Sequence, residues 1–293
     1  MRPFELQGDP TLQGYARALD ASTDYRVLRR LPRLDELWLM PTPPDGGDIV
    51  IGVIDVETTG LSDDAKVIEI SMLKMTLSDG QLADITEPLT MMEDPGEPLS
   101  AEITLITGIT DADVRGQRFS EELLAHAMGE VDVLCAFNAP FDAGHLTRRF
   151  PGMRHPWICA RSEFDWQAAG HEGRSQQTLL SGFGHFYEAH RAANDTWALA
   201  MLIAMPAADG RTIAAHIVEN GRRIDARVSA VGAPFAIKDE LKSRGYRWRP
   251  KARVWAIDVP LDQVDADCAA LRAISKAIRP QWAEIDWYNR HLP

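Results

Sequence analysis

Cysteine is scarce in this sequence. Its 293 residues include three cysteines, and no two of them form a C-x-x-C pair. This number and spacing argue against a disulfide framework and against a structural zinc site. Any metal is therefore expected to be bound mainly through oxygen, which favours Mg²⁺ or Mn²⁺.

A long apolar run is also missing. The longest apolar stretch, residues 197–208, is much shorter than the roughly 20 residues that a membrane-spanning helix needs, and Pro206 interrupts it. The first ten residues contain no apolar run of the kind found in a signal peptide. These absences predict no membrane partner and a cytoplasmic location.

Positive charge is sparse in the larger part of the chain. The formal net charge is −12, which alone disfavours nucleic acid as a partner. Residues 1–210 hold 16 Lys and Arg against 33 Asp and Glu, a balance of −17, whereas residues 211–293 hold 15 against 10, a balance of +5. The sequence thus predicts an acidic body followed by a basic region.

Apolar runs and turn signals predict three segments. Residues 1–47 form an N-terminal extension ending in a Pro- and Gly-rich linker, residues 48–207 form a mixed α/β domain, and residues 211–293 form a small α+β module. The α/β domain is expected to contain strands over 49–56, 67–77, 83–91 and 131–137. Its expected helices are 120–128, 141–150, 178–187 and 192–205. In the last segment, a hairpin at Asn220-Gly221 predicts the order ββαββα.

Two acidic residues lie at the end of the first buried strand. Asp55 and Glu57 are separated by Val56, so the two-residue period of a strand places both carboxylates on one face. Neighbouring carboxylates repel each other, and a multivalent cation relieves that repulsion. Taken alone, the pair is more typical of a strand that ends in polar residues before a turn.

Two later motifs add further acidic residues. Asp142 closes the motif Asn138-Ala-Pro-Phe141-Asp142 directly after a predicted strand, where it opens a helix. Asp195 lies early in another predicted helix, and His190 lies in the loop before it. Each motif alone is typical of an ordinary loop and helix start, but the three in this order point to one site.

The ordered set D-x-E, N-x-x-F-D and H-x-x-x-x-D resembles the DEDD exonuclease superfamily in its histidine-containing branch. That branch includes the proofreading subunit of the bacterial replicative DNA polymerase. Further matches are the Thr-Thr-Gly-Leu turn that begins at Thr58, the Ile-Glu-Ile run centred on Glu69 and the Ile-Thr-Gly-Ile-Thr run that begins at Ile106. The resemblance covers roughly residues 49–205.

The resemblance implies a ribonuclease H-like fold and metal-dependent 3′→5′ hydrolysis of nucleic-acid strands, with DNA favoured over RNA. Two Mg²⁺ or Mn²⁺ ions would be held by the four carboxylates Asp55, Glu57, Asp142 and Asp195. His190 would take the proton from the attacking water, a role that suits an imidazole near neutral pH. The terminal nucleotide and its pocket are expected to involve Thr58, Leu61, Asn138 and Phe141.

Basic and aromatic residues are interleaved in the last segment. Residues 235–255 hold seven Lys and Arg and four aromatic rings, a composition that suits single-stranded nucleic acid. The stretch from Gly245 to Trp255 looks like small modules with a G-x-R/K-W…K-x-W pattern that are appended to DNA-processing proteins. The residues expected to contact the strand are Lys242, Arg247, Trp248 and Arg249. The pattern is equally typical of a solvated basic face over an aromatic mini-core.

Other functions stay open from the sequence alone. A preference for RNA depends on contacts to the 2′-hydroxyl, so an exoribonuclease that trims RNA 3′ ends is the first alternative. The second is a proofreading or repair subunit that is active only within a polymerase complex. The third is a non-catalytic nucleic-acid binder, although such a protein would have no need of His190.

Overall fold

The computed structural model describes residues 10–37 and 48–292. Contacts divide the chain into two compact units, with the boundary between Asn220 and Gly221. The predicted linker at residues 41–47 lies outside the described residues. None of the described helices is long and apolar enough to span a bilayer.

The first unit combines short strands with helices of up to three turns. Its strands are β1 (Arg29–Arg30), β2 (Ile49–Thr58), β3 (Val67–Ser78), β4 (Gln81–Ile85), β5 (Leu89–Met92), β6 (Val133–Ala136), β7 (Trp157–Cys159) and β8 (His185–Phe186). Its helices are α1 (Pro10–Asp20), α2 (Ala101–Thr107), α3 (Asp111–Val114), α4 (Glu121–Gly129), α5 (Ala139–Arg149), α6 (Gln176–Gly182), α7 (Ala192–Ile203) and α8 (Ile213–Gly221), which ends at the boundary.

A mixed sheet forms the centre of the first unit. Its order is β4-β3-β2-β6-β7, and β5 also pairs with β3. Strand β2 is antiparallel to β3 and parallel to β6. It lies in the middle because it is a nearly continuous apolar run in which Ile51, Val53 and Ile54 are fully buried. Helix α7 packs on β2 and β3. The mixed α/β fold expected from the sequence is confirmed.

Two predicted elements of this unit end earlier than their apolar patterns indicated. The strand expected over 83–91 is interrupted after Ile85, because Pro88 has no N–H to donate to a neighbouring strand, and pairing resumes only in β5. The helix expected over 178–187 ends at Gly182. Gly184 then adopts a left-handed φ of +86°, and the chain continues as β8, which pairs in parallel with β1.

The second unit is a four-stranded antiparallel sheet with two helices. Its elements are β9 (Asp225–Val231), α9 (Lys238–Ser243), β10 (Arg247–Arg249), β11 (Val254–Pro260), α10 (Val264–Ile274) and β12 (Arg279–Ile285). The sheet order is β10-β11-β9-β12. The core lies between sheet and helices, where Ala226 and Val228 of β9 meet Leu241 of α9 and Leu271 of α10.

The predicted ββαββα order of residues 211–293 is wrong, because the structure has helix α8 followed by the order βαββαβ. Asn220-Gly221 is not a hairpin turn but the end of helix α8. The Thr212 hydroxyl accepts a hydrogen bond from the N–H of Ala215 (3.2 Å) at the start of α8. The buried residues Ile213, Ala214, Ile217 and Val218 follow the helical period. Strand β12 at the other end of the segment was not predicted.

Candidate active site

The alternation of β2 brings two carboxylates to one side of the sheet. Asp55 and Glu57 are partly exposed, whereas Val56 between them is buried. In the pairing with β3, Asp55 lies opposite Ser71 and Glu57 lies opposite Glu69. The predicted placement of Asp55 and Glu57 on one face therefore agrees with the structure.

Asp142 reaches the same edge of the sheet from the neighbouring strand. Since β6 runs parallel to β2, both strands end at one edge, and α5 begins directly after β6. Asp142 lies in the first turn of α5 and is only 4% exposed. Its Oδ1 atom is buried and has no hydrogen-bond partner among the described residues. A buried carboxylate oxygen without a partner is costly unless a cation or water approaches it.

Asp195 lies in the first turn of α7, where several donors orient its carboxylate. The Tyr187 hydroxyl donates to Oδ1 (2.7 Å), and the backbone N–H groups of His190 (2.6 Å) and Arg191 (3.2 Å) donate to Oδ2. Gln176 in turn donates to the Tyr187 hydroxyl (3.0 Å) and to the Asp195 carbonyl (2.9 Å). The loop before α7 is thus tied to the carboxylate that it precedes.

His190 is exposed and adopts a left-handed backbone conformation. Its φ is +68°, which is uncommon for a residue other than glycine. The conformation is held by the hydrogen bond from its N–H to Asp195. The structure therefore places His190 beside Asp195 while leaving its side chain accessible to solvent.

Burial and mutual repulsion raise the carboxyl pKa values at this site. Burial, followed by the charges of Asp142 and Asp195, raises the pKa of Asp55 well above its usual value. Burial, followed by the charges of Asp195 and Glu69, raises the pKa of Glu57 to about 8. Burial also raises the pKa of Asp142 to about 7, although backbone N–H groups oppose the shift, and it raises the pKa of Asp195.

The donor set fits a hard divalent cation. One carboxylate oxygen from each of Asp55, Glu57 and Asp195 lies within 4.8 Å of the others, so these three residues could hold a metal ion. Asp142 is not part of this set, but its charge has the largest effect on the Asp55 pKa after burial, and its Oδ1 atom lacks a partner in the described chain. Oxygen donors of this kind suit Mg²⁺ and Mn²⁺.

A protein-family model named RNase_T, described as an exonuclease, matches residues 53–203, which include the whole carboxylate cluster. The chain belongs to the RNase_T exonuclease family. Its chemistry is therefore that of a nuclease, which hydrolyses phosphodiester bonds. The family match confirms the predicted relationship to the exonuclease superfamily.

Curated relatives match part of this family domain. The chain is 42% identical over 104 residues to the PolC-type DNA polymerase III of Halalkalibacterium halodurans, covering 34% of this chain and 7% of that protein. It is 33% identical over 126 residues to the PolC-type DNA polymerase III of Streptococcus suis, covering 41% of this chain and 8% of that protein. The chain thus spans less than a tenth of the length of these relatives.

Solved structures of exonucleases are also similar to the chain. One is exonuclease X in complex with 5′-overhanging duplex DNA, with 26% identity, a TM-score of 0.42, and coverage of 53% of this chain and 89% of that one. Another is a 3′-exonuclease that recognises the 3′ end of a histone mRNA stem-loop, with 15% identity, a TM-score of 0.44, and coverage of 62% of this chain and 88% of that one.

Glu69 supports the site, although no role was predicted for it from the sequence. It is 1% exposed, accepts the backbone N–H of Ala192 (2.9 Å) at the start of α7, and pairs with Arg191 (3.1 Å). It therefore links β3 to the loop that contains His190. The sequence feature that could have identified Glu69 is its position inside the apolar run of β3, because a charge buried in a strand needs a partner.

The four residues predicted to line the nucleotide pocket lie near the ends of β2 and β6. Thr58 is buried and donates from its hydroxyl to the Gly60 carbonyl (2.5 Å), whereas Leu61 is 91% exposed. Asn138 is exposed and precedes α5. The Phe141 ring lies 4.5 Å from the His145 ring, centroid to centroid. Their contact with a nucleotide stays a prediction for this RNase_T family member.

In the second unit, the residues that were predicted to contact a nucleic-acid strand lie on helix α9 and on both faces of strand β10. Trp248 pairs with Trp255, and Arg247 and Arg249 on either side of it project from the opposite face. Lys242 lies on α9, with its Nζ 5.9 Å from the centre of the Trp255 ring. The stretch thus contains both an aromatic face and a separate arginine face.

Proposed function

We propose that this protein is a metal-dependent 3′→5′ exonuclease that releases nucleoside monophosphates from the 3′ ends of single strands, preferentially DNA. The observation that carries the proposal is the oxygen-only cluster of Asp55, Glu57 and Asp195, with the buried Oδ1 of Asp142 nearby. Mutual repulsion at this site is relieved by divalent cations, and the charge of those cations is what an anionic phosphodiester needs at the site.

The cations would be two Mg²⁺ or Mn²⁺ ions held by Asp55, Glu57, Asp142 and Asp195. When bound, such ions supply charge stabilisation to the attacking and leaving oxygens of an in-line displacement. The protein itself contributes by orienting the carboxylates that would bind these ions. The Asp195 carboxylate is fixed by the Tyr187 hydroxyl and two backbone N–H groups before any ligand arrives.

His190 is proposed as the general base that takes a proton from the attacking water. Its side chain is exposed, so solvent and substrate can reach the imidazole. Its backbone is tied to Asp195, and the following residues Arg191 and Ala192 are tied to buried Glu69. These contacts keep the imidazole near the carboxylates without occupying it, as a base acting on water requires.

Thr58, Leu61, Asn138 and Phe141 are proposed to receive the terminal nucleotide. Leu61 supports this role because it is 91% exposed and follows Glu57 by four residues, so it offers an apolar surface to a base or sugar. Phe141 lies one residue before Asp142 and is only partly buried, so it can present an aromatic edge to the same nucleotide.

The test is a time course with 5′-labelled single-stranded DNA and RNA of matched sequence, in Mg²⁺, in Mn²⁺ and in EDTA. A metal-dependent ladder that shortens from the 3′ end is expected, with DNA degraded faster than RNA. Immediate release of labelled mononucleotide would reverse the proposed direction, and faster cleavage of RNA would favour the exoribonuclease alternative. No shortening of either strand by folded protein would contradict a free-standing exonuclease.

A polymerase-associated proofreading subunit is the second candidate. The observation in its favour is that the matched region of the curated relatives lies within PolC-type DNA polymerase III. This candidate predicts that a replicative polymerase co-purifies with the protein and accelerates its removal of a mismatched 3′ nucleotide. Equal excision rates with and without that polymerase would argue against it.

A further inference from the structure

Exposed rings and lysines occur around α9 and β10 of the second unit. Trp248 of β10 is 48% exposed, and its ring centroid lies 5.7 Å from that of Trp255. Trp255 packs against the core of the unit and therefore holds its neighbour in place. Phe235, just before α9, is 79% exposed. An exposed ring with a fixed neighbour provides a platform on which a base can stack.

Two of these rings have a lysine beside them. The Nζ of Lys238 lies 4.3 Å from the centre of the Phe235 ring, and the Nζ of Lys242 lies 5.9 Å from the centre of the Trp255 ring. Two acidic residues, Asp239 and Glu240, lie on the same helix, and the Nζ of Lys242 lies 3.9 Å from the Asp239 Oδ1 in an exposed pair. Residues 235–255 nevertheless hold seven Lys and Arg in all. The stretch of chain that carries the rings is therefore net positive as a whole.

Two arginines on the other face of the sheet, Arg227 and Arg249, lie beside one carboxylate, that of Asp258. Arg227 makes two hydrogen bonds to the Asp258 carboxylate (2.7 and 2.9 Å), and Arg249 lies 3.7 Å from the same carboxylate. Burial lowers the pKa of Arg249, consistent with a guanidinium drawn into the protein. Arg249, whose side chain is 42% exposed, thus helps to hold β10 against β9 and β11.

We propose that the aromatic–basic edge, formed by Phe235, Lys238, Lys242, Trp248 and Trp255, binds single-stranded nucleic acid by stacking bases on Trp248 and Phe235. The lysines contact the phosphates that follow each stacked base. This assignment retains Lys242 and Trp248 of the residues expected from the sequence and leaves out Arg249, which lies beside Asp258. Arg247 is exposed on the opposite face of the sheet, and its contact with a strand stays a prediction. The proposal rests on the proposed function because the choice of nucleic acid as the ligand comes from it.

Binding is tested on the full-length protein in EDTA, by the fluorescence anisotropy of labelled oligothymidylate. Trp248→Ala should weaken binding by about 5- to 150-fold, the range for loss of one stacked base, while Trp248→Phe should retain most of the affinity. Trp282→Ala is the matched control, because Trp282 is 54% exposed on β12 at the opposite edge of the same sheet. It should change affinity by less than about twofold.

The lysines are tested by the salt dependence of the same anisotropy measurement. Replacing both Lys238 and Lys242 with Gln should reduce the slope of log K against log salt concentration by about 1.4, from about 0.7 for each phosphate contact on a single strand. Lys276→Gln is the control, because Lys276 is an exposed lysine that precedes β12. An equal change of slope with Lys276→Gln would overturn the proposal.

Unchanged affinity in a folded Trp248→Ala, Phe235→Ala double variant would overturn the proposal and leave this edge to a protein partner. Circular dichroism establishes that the variant is folded. The binding measurement needs no hydrolysis, so failure of the proposed exonuclease activity would appear separately, as intact strands in Mg²⁺ with affinity in EDTA unaffected.

Discussion

The Asp142 carboxylate suits the candidate site but lowers the stability of the fold. It is buried, its Oδ1 atom has no partner in the described residues, and burial raises its pKa to about 7. A residue chosen for stability alone would be neutral at this position, since a buried anion without a partner is unfavourable. The presence of a buried aspartate at this position is explained if its Oδ1 atom is a cation ligand.

We therefore expect Asp142→Asn to abolish hydrolysis and to stabilise the metal-free protein. The amide keeps the shape of the side chain but removes a charge that repels Asp55, so the free energy of unfolding in EDTA at pH 8 should rise by on the order of 1 kcal/mol. Activity assays and denaturant unfolding measure the two effects. Asp265→Asn is the control, since Asp265 is an exposed first-turn residue of α10; it should leave activity unchanged.

His190→Ala should slow hydrolysis by about 10²–10⁴-fold, the usual span for loss of a general base. Strand affinity in EDTA should stay within about twofold of the unaltered protein, because the side chain acts on water rather than on the base or sugar. The matched control is His126→Ala, which removes a side chain 71% exposed on α4. An equally slow His126→Ala protein, or a fully active His190→Ala protein, would contradict the assigned role.

The residues of the cluster could be predicted because their motifs are local, whereas their supports could not. Asp55 and Glu57 share a strand, and the order of the three motifs identified Asp142 and Asp195. Glu69 acts across the sheet on Ala192, 123 residues later in the chain. No periodicity within one segment indicates such a contact, although a buried glutamate in β3 was a sign that one was needed.

At the scale of elements, β2 depends on a glycine in its centre. A Cβ at Gly52 would lie 2.8 Å from Met72 Cε and 2.9 Å from Leu134 Cδ2. Both neighbours are buried side chains on the strands that flank β2. The close packing of β2 between β3 and β6 therefore depends on the missing side chain, and this packing positions Asp55 three residues later.

Gly52→Ala should destabilise the protein by about 1–3 kcal/mol through overpacking. The midpoint of thermal unfolding of the first unit should fall by about 2–4 °C for each kcal/mol. Gly129→Ala at the end of α4 is the matched control, because a Cβ there meets no atom within 4 Å. That control should leave the midpoint unchanged or raise it slightly. A Gly52→Ala protein as stable as the control would contradict the packing argument.

Elements with one strong periodic pattern were predictable, and those decided by tertiary contacts were not. The apolar run that begins at Ile49 predicts a buried strand, and β2 lies where that strand was expected. Asn220-Gly221 is a strong hairpin signal, but the preceding residues bury Ile213 and Ile217 on one helical face, so helix α8 forms instead. Strand β12 has mostly exposed residues and depends on its pairing with β9, which no local pattern reveals.

At the scale of the whole molecule, charge is divided between the two units. Residues 1–220 hold 17 Lys and Arg against 34 Asp and Glu, a balance of −17, and residues 221–293 hold 14 against 9, a balance of +5. An acidic nuclease unit repels the phosphates of its own substrate at long range. The division of charge is therefore consistent with one unit for hydrolysis and another for holding the strand.

The raised carboxyl pKa values make stability depend on pH and on metal together. The pKa values of Asp142, about 7, and Glu57, about 8, lie above the usual values near 4 for unfolded chains. At pH values between about 4 and about 8, the folded protein keeps protons on these carboxyl groups that the unfolded chain has released. The free energy of unfolding in EDTA should therefore fall as the pH rises through this range.

Thermal unfolding across this pH range, in EDTA and in Mg²⁺, measures the effect. Cations that bind the folded carboxylates stabilise the folded state, so Mg²⁺ should raise the unfolding midpoint most near pH 8 and least near pH 5, where protons compete for the same oxygens. Asp142→Asn should show a shallower pH dependence in EDTA and a smaller gain from Mg²⁺. A rise of stability with pH in EDTA would contradict the raised carboxyl pKa values. An equal effect of Mg²⁺ at pH 5 and pH 8 would contradict the carboxylates as cation ligands.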